Sequence, residues 1–158
     1  MTVIRPATAA DAPAIAAIWN QIIRDTLVTF TTDEVTDAAI ADRIANAPVL
    51  IAEDAGTCVG FATFGPFRSG PGYRFTAEHT IHLAPAARGR GLGRALLSEL
   101  EDTARQNGLR HLIGAVSGAN PEAAQFHTAL GYSLVATLPE VGYKSGEWLD
   151  VLLFQKRL

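Results

Sequence analysis

An apolar run, Thr80-Ile81-His82-Leu83, is followed a few residues later by Arg88-Gly89-Arg90-Gly91-Leu92-Gly93-Arg94 and then by the helix-forming stretch Ala95-Leu96-Leu97-Ser98-Glu99-Leu100. A strand that passes through a glycine-rich turn straight into a helix leaves several backbone N–H groups unpaired and pointing one way. The helix dipole adds partial positive charge at the same place. Such a junction is an anion cradle. Glycines at 89, 91 and 93 let the backbone approach a ligand with no Cβ in the way, and Arg88, Arg90 and Arg94 supply the countercharge of a diphosphate. The expected ligand is a phosphorylated cofactor. A dinucleotide fingerprint would need glycine at position 94, and a P-loop would need Lys-Ser or Lys-Thr after its last glycine; the chain has neither.

With 158 residues the chain is about one domain long, and a hydrophobic share of 48% is enough for a substantial core. One domain over 1–158 is expected. A net charge of −3 argues against nucleic acid as a main partner, since that binding rests on neutralising many phosphates. The single cysteine, Cys58, excludes an internal disulfide, and its place in an apolar run with no histidine near in sequence reads as a buried thiol rather than a nucleophile. There is neither a basic-then-apolar leader nor an apolar run of about 20 residues, so a soluble cytoplasmic protein without membrane contact is expected. Four histidines without paired ligand spacing predict no metal.

Val3-Ile4-Arg5 reads as a short strand closed by Pro6, and Thr8 or Asp11 can cap the helix after it. In that helix Ile15, Ile18, Trp19, Ile22 and Ile23 recur at helical spacing. Thr36 to Ala47 predicts a second, weaker helix ended by Pro48. Val49 to Ala52 and Cys58 to Phe64 predict two strands joined across the turn signal Asp54-Ala55-Gly56. After a Gly/Pro-rich segment from Gly65 to Gly72 a strand is expected from about Tyr73 to Leu83. The helix after the cradle buries Leu92, Leu96, Leu97, Leu100 and Ala104 and stops at Asn107-Gly108. Leu112 to Val116, Tyr132 to Thr137 and Trp148 to Gln155 read as strands, and Pro121 to Leu130 as a short helix closed by Gly131. Strands first in hairpins and then separated by helices predict an α/β fold: a mixed sheet with helices on both faces.

Arg88-x-x-Gly91-x-Gly93 after a strand resembles the pyrophosphate-binding signature of the GNAT superfamily of acyl-CoA-dependent N-acetyltransferases. Thr76-Ala77-Glu78-His79-Thr80, Phe126-His127-Thr128-Ala129-Leu130-Gly131-Tyr132 and the stretch from Thr137 to Asp150 are similar to the phosphinothricin N-acetyltransferase group, which includes enzymes acting on methionine sulfone and methionine sulfoximine. The resemblance runs from about residue 3 to the C-terminus. It implies the GNAT fold, acetyl-CoA as cofactor and, by kinship alone, a homodimer. The chain departs from many GNAT enzymes in having His127 where they have tyrosine, as the phosphinothricin group also does. Ser145 stands where relatives often have a larger side chain.

The same resemblance implies roles for particular residues. Glu78 is the expected general base, acting directly or through water on an amine that arrives as an ammonium ion. His127 is a candidate acid for the departing sulfur, a lesser role because a thiolate leaves without strong help. Main-chain atoms of Ile81, His82 and Leu83 would pair with the pantetheine arm and hold the developing oxyanion, with Asn120 on the arm's other side. Asn120 is also a good N-cap before Pro121. The diphosphate would sit on residues 88 to 94, Leu92 among them. For a small amine acceptor carrying a carboxylate, Arg68 and Arg74 are the expected anchors, with Phe30, Tyr73 and Phe75 as an apolar wall and the Tyr143-Lys144 loop reaching the pocket of the same subunit or of a neighbour. Read without the resemblance, Glu78 is an acid paired with Arg68 or Arg74. Two other functions share the same cradle: acetylation of a protein or peptide N-terminus, and a non-catalytic acyl-CoA-binding module.

Overall fold

Val49 to Ala52 and Gly60 to Phe64 are buried without alternation, the mark of strands covered on both faces. They are the second and third strands of a seven-stranded sheet, covered on either side by neighbours. In the computed structural model, which describes residues 1–158, its strands are β1 (Thr2–Pro6), β2 (Val49–Asp54), β3 (Thr57–Pro66), β4 (Thr76–Leu83), β5 (His111–Ser117), β6 (Ser133–Lys144) and β7 (Glu147–Arg157). Their spatial order is β1-β2-β3-β4-β5-β7-β6, and every neighbouring pair is antiparallel except β4 with β5. Helices α1 (Ala12–Asp25) and α2 (Asp37–Asn46) cover one face, packing Ile15, Ile22 and Ile40 against Ile51 and Phe61. Helix α3 (Leu92–Gln106) covers the other with Leu96, Leu97 and Leu100, all fully buried against Leu50, Ala62 and Phe64. Each such leucine contributes about 1.5–3 kcal/mol by leaving water. Helix α4 (Pro121–Ala129) lies on that second face through Ala123, Ala124 and Phe126. The mixed sheet with helices on both faces is the fold expected.

Two boundaries differ from expectation for local reasons. Strand β4 begins at Thr76 rather than near Tyr73, because Gly70 at φ 106° and Pro71 start a 3-10 turn over Pro71–Tyr73, and Arg74 keeps helical dihedrals. Strand β6 does not stop at Thr137. A bulge between Leu138 and Gly142, with Glu140 at φ 53°, breaks its alternation, and the strand then resumes to Lys144. Ser145 and Gly146, at φ 53° and 80°, form the two-residue turn into β7, whose twist matches the flanking strands.

The parallel pair is short. Thr76 to His79 register with His111 to Gly114, and beyond that point β4 and β5 part. On the side facing the other strand, the backbone edges of Thr80–Leu83 and Ala115–Ser117 are left without a ladder partner. No helix is long and apolar enough to cross a membrane.

Candidate active site

A cavity of about 790 Å³ occupies the gap where the two strands separate. That is within the range of roughly 300–1,000 Å³ usual for small-molecule sites. At one end lie Arg88, Gly89, Gly91, Leu92, Gly93 and Arg94. Gly91 is the N-cap of α3 in the left-handed region, at φ 78°, and no side chain caps the helix. The first bond of its ladder runs from Ala95 N–H to Gly91 O, so the amides before it are free for a ligand. A Cβ at Gly93 would stand 3.2 Å from Phe126 Cε2, so this glycine is what lets α3 and α4 approach beneath the cradle.

Arg90 departs from expectation. Its Nη2 lies 2.8 Å from Asp54 Oδ2 at the β2–β3 hairpin, it does not line the cavity, and it holds the Asp54 carboxyl below its ordinary range. The two arginines that do line the cavity are Arg88 and Arg94.

Along β4 the side chains alternate between faces. Ile81 and Leu83 pack against the α3 core, and His79 meets His127 of α4 and Tyr132. Glu78, Thr80 and His82 therefore face α1, where His82 packs against Trp19 and Phe61 at 6.1 and 5.6 Å between ring centroids. Burial, reinforced by the charge of Arg88, lowers His82 to about 4, so it is a neutral imidazole. Glu78 opens into the cavity and retains substantial exposed area. The cleft walls still remove enough water to raise its carboxyl above the ordinary value. It has no ion pair: neither Arg68 nor Arg74 approaches it.

The expected acceptor anchors are not brought to this cavity. Arg68 lies over the Tyr73 ring at 5.7 Å, and Arg74 lies over Phe75 at 4.3 Å and donates to Pro71 O at 2.8 Å. All four residues are exposed and belong to the turn before β4, so closeness to Glu78 in sequence does not place them beside it. Phe30, by contrast, lines the cavity from the loop after α1, with Thr26, Val28, Thr29 and Thr31. Ile81, His82, Leu83 and Asn120 also line it. The Asn120 Oδ1 accepts from Ala123 N–H at 3.2 Å, so its N-cap role is realised at the cavity wall.

His127 lines the cavity but is poorly equipped as an acid. Its Nδ1 faces Ala123 O at 2.7 Å, its Nε2 faces His79 Nε2 at 2.9 Å, and burial pushes its pKa down despite the carbonyl bond. A neutral ring with both nitrogens engaged does not offer the imidazolium proton that its motif position implied. Lys144 is also not a cavity group; it is buried and hydrogen-bonded to carbonyls beneath the loop.

Residues 15–132 match the family model described as Acetyltransferase (GNAT) family. The chain belongs to the GNAT acetyltransferases. It is 38% identical over 160 residues to the L-methionine sulfoximine/L-methionine sulfone acetyltransferase of Salmonella typhimurium, covering 98% of this chain and 94% of that protein. It is 33% identical over 157 residues to the phosphinothricin N-acetyltransferase of Streptomyces viridochromogenes, covering 97% and 86%. The crystal structure of a GNAT superfamily phosphinothricin acetyltransferase from Sinorhizobium meliloti, in complex with acetyl-CoA, superposes with a TM-score of 0.94 at 34% identity, covering 99% and 88% of the two chains.

Within this GNAT cleft several residues were not legible as site residues. Trp19 and Ile22 read as plain core from their helical spacing, yet both line the cavity. His79 carried one available signal, since strand alternation puts it on the face opposite Glu78. Nothing in sequence brings it to His127, 48 positions away. Cys58 is half-buried, its Sγ 3.6 Å from Gly60 O, and it lies outside the cavity with a thiol pushed up chiefly by burial. No group of three His, Cys, Asp or Glu side chains is placed to hold a metal ion.

Proposed function

We propose that this GNAT enzyme transfers acetyl from acetyl-CoA to the α-amino group of a small amino-acid-like acceptor of the methionine sulfone, methionine sulfoximine or phosphinothricin type. The observation that carries the reading is the presence, in one cleft, of an uncapped glycine-rich helix start, an unpaired strand edge and a carboxyl with a raised pKa. The kinship with the Salmonella and Streptomyces enzymes supports the acceptor class.

The residues fit coenzyme A. Free amides at the start of α3, with Arg88 and Arg94, suit its diphosphate, and the open edge of β4 at Ile81 to Leu83 suits the amides of its arm. Acetyl-CoA supplies an acetyl group activated as a thioester. Glu78 takes a proton from the acceptor's ammonium, directly or through one water, and so frees the nitrogen lone pair for attack on the acetyl carbon. A carboxyl with a raised pKa is better matched to that transfer than an ordinary one. The C–N bond forms, the C–S bond breaks and the sulfur leaves as thiolate, while the second proton that the nitrogen sheds on becoming an amide passes to that thiolate or to solvent. No enzyme nucleophile enters, in keeping with the position of Cys58. The acceptor half of the cleft is lined by Thr26, Thr29, Thr31 and Thr80 rather than by guanidinium groups.

The assembly belongs to the same proposal. Leu134, Val135, Val141, Tyr143 and Trp148 are 53–65% exposed on the β6–β7 hairpin at the sheet's edge. An exposed apolar edge of this kind marks an interaction surface, and we infer that a second copy of the chain covers it. Light scattering should give twice the chain mass, and Val135→Lys with Val141→Lys should give the monomer.

The deciding assay is thiol release from acetyl-CoA across amino-acid analogues, polyamines, aminoglycosides and peptides. Turnover confined to the amino-acid analogues is expected. Turnover only with peptides, or acetyl-CoA binding with no turnover on any amine, would overturn the acceptor class or the enzymatic reading respectively.

A further inference from the structure

Strand β6 is exposed almost throughout, with two exceptions near its end: Gly142 and Lys144 are buried, and Lys144 is only 4% exposed. The Lys144 Nζ donates to Ile23 O, Thr26 O and Thr29 O at 2.8, 2.8 and 2.9 Å. No carboxylate lies within ion-pairing distance of it. An ammonium taken out of water needs all three of its donors satisfied, and here three carbonyls satisfy them.

Those carbonyls are not a random set. Ile23 is in the last turn of α1 and Thr26 is its C-cap, where carbonyls lack helical partners and the dipole is negative. The helix's own basic residue in that turn, Arg24, is pulled to solvent by Glu34 at 2.5 Å. Lys144, from more than a hundred residues away, neutralises the helix end instead. Thr29 extends the same grip into the loop that supplies Thr26, Val28, Thr29, Phe30 and Thr31 to the cavity. Gly142 makes a second hold on that loop: the Phe30 ring lies against it so closely that a Cβ there would fall inside the ring's contact surface. The bulge before Gly142 and the tight Ser145-Gly146 turn after Lys144 fix the hairpin that delivers both residues.

Which half of the cavity this loop walls follows from the sheet's faces. Glu78 points to the α1 face, and the loop continues from α1, whereas the cradle is at the start of α3. We propose that the end of β6 is a clasp that sets the shape of the acceptor half of the cleft, with Lys144 as a positioning residue that fixes the Phe30 wall opposite Glu78 without touching the reacting atoms. This rests on the acetyltransferase reading above.

Lys144→Met keeps length and apolar bulk and removes every donor. It should raise the KM for the acceptor by about tenfold or more while the KM for acetyl-CoA stays within about twofold, since misplacing a positioning wall by about an ångström is costly and the cradle is untouched. Hydrogen exchange at the amides of residues 26–31 should speed up in the same variant. Gly142→Ala displaces Phe30 with all three ammonium bonds intact, and should give the same acceptor-specific rise. It decides the matter if Lys144→Met does not fold. A folded Lys144→Met or Gly142→Ala protein with wild-type acceptor KM overturns the clasp. If the wild-type protein acetylates no amine, the proposed function fails instead, and the exchange rates of residues 26–31 in Lys144→Met still decide the clasp: unchanged rates overturn it.

Discussion

The Nε2 atoms of His79 and His127 lie 2.9 Å apart at the wall of the cleft, and only one proton fits between them. The rings are inclined by only 12° with centroids 5.1 Å apart, so the contact is edge to edge through nitrogen. A carbonyl can only accept, so the bond to Ala123 O places a proton on His127 Nδ1. A neutral His127 then accepts at Nε2, His79 donates, and the His79 Nδ1 is left bare, in agreement with its lack of any partner. Protonating His127 would set two N–H groups against each other, and protonating His79 would leave a charged ring with an Nδ1–H that has no acceptor, both in a buried site. Around the pair stand Tyr132, edge-on to both rings, and behind it Glu101 bonded to Tyr132 and Lys156. No carboxylate touches either imidazole.

A pH dependence of stability follows from that neutrality. Burial lowers His79 and His127, the first also through its neighbour's charge, and His82 lies at about 4. In the unfolded chain each takes a proton near ~6.5. Below that pH the unfolded state binds more protons than the folded one, so stability falls as the pH drops. Glu78, raised in the fold, has the opposite sign but is a single group against three. The midpoint of thermal unfolding should be level between about pH 7 and 8 and decline from about pH 6.5 toward 5. The ring Cε1–H resonances of His79 and His127 should stay at neutral-imidazole positions through pH 6, and a midpoint near ~6.5 for either would refute the arrangement.

Glu78→Gln isolates the proton-transfer step. It keeps the shape and removes the proposed base, so acetyl-CoA affinity should be retained while kcat falls by at least about tenfold and by up to the ~10²–10⁴ usual for a positioned base. The acid limb of the kcat/KM profile should go with it. On the proposed mechanism that limb belongs to the Glu78 carboxyl, raised above its ordinary value by burial, so activity should rise with pH at a midpoint above ~4.3. Full activity in the variant would remove Glu78 from the mechanism.

The cradle was readable from sequence because every part of it is local: the end of the strand, the glycines, the start of the helix and the arginines lie within fifteen consecutive residues, 80–94. Its ligand class and the sheet's layering followed from the same locality and from helical and strand periods. What could not be read depends on where a side chain turns. Arg90 sits in the middle of the motif yet answers Asp54, whose place is set by the β2–β3 hairpin. Arg68 and Arg74 precede Glu78 closely, but a 3-10 turn separates them from its strand. His79 and Lys144 find partners 48 and more than 100 positions away, through tertiary packing that no local pattern encodes.

Arg90 therefore offers a comparison inside one loop. Arg88→Ala and Arg94→Ala each remove a cation from the cavity lining and should raise the KM for acetyl-CoA by about tenfold, the scale of a charge-assisted hydrogen bond of ~1.5–3 kcal/mol. Arg90→Ala should raise it by less than about threefold. Its partner pair with Asp54 is half-exposed, a class of contact worth at most ~1 kcal/mol, so stability should change little as well. An Arg90 effect equal to that of Arg88 would show that the guanidinium leaves Asp54 for the diphosphate on binding.

Gly114 tests the point where the strands part. A Cβ there would stand 2.6 Å from His127 Nε2, 2.9 Å from its Cδ2 and 3.1 Å from His79 Cε1. These are buried rings locked by each other and by Ala123, not the loose end of a flexible chain, so the added methyl has to push α4 or β4 aside. Overpacking of this kind costs about 1–3 kcal/mol. Because Gly114 is the last residue of β5 in register with β4, the displacement falls at the mouth of the cleft. Gly114→Ala should lower the unfolding midpoint in denaturant with an unchanged m-value, and should also move the His79 and His127 ring resonances. Gly65→Ala, where nothing lies within 4 Å of the new methyl, should leave stability within about 0.5 kcal/mol. Equal midpoints for the two variants would mean that the histidine pair yields to the methyl, and that it does not brace the strands at their fork.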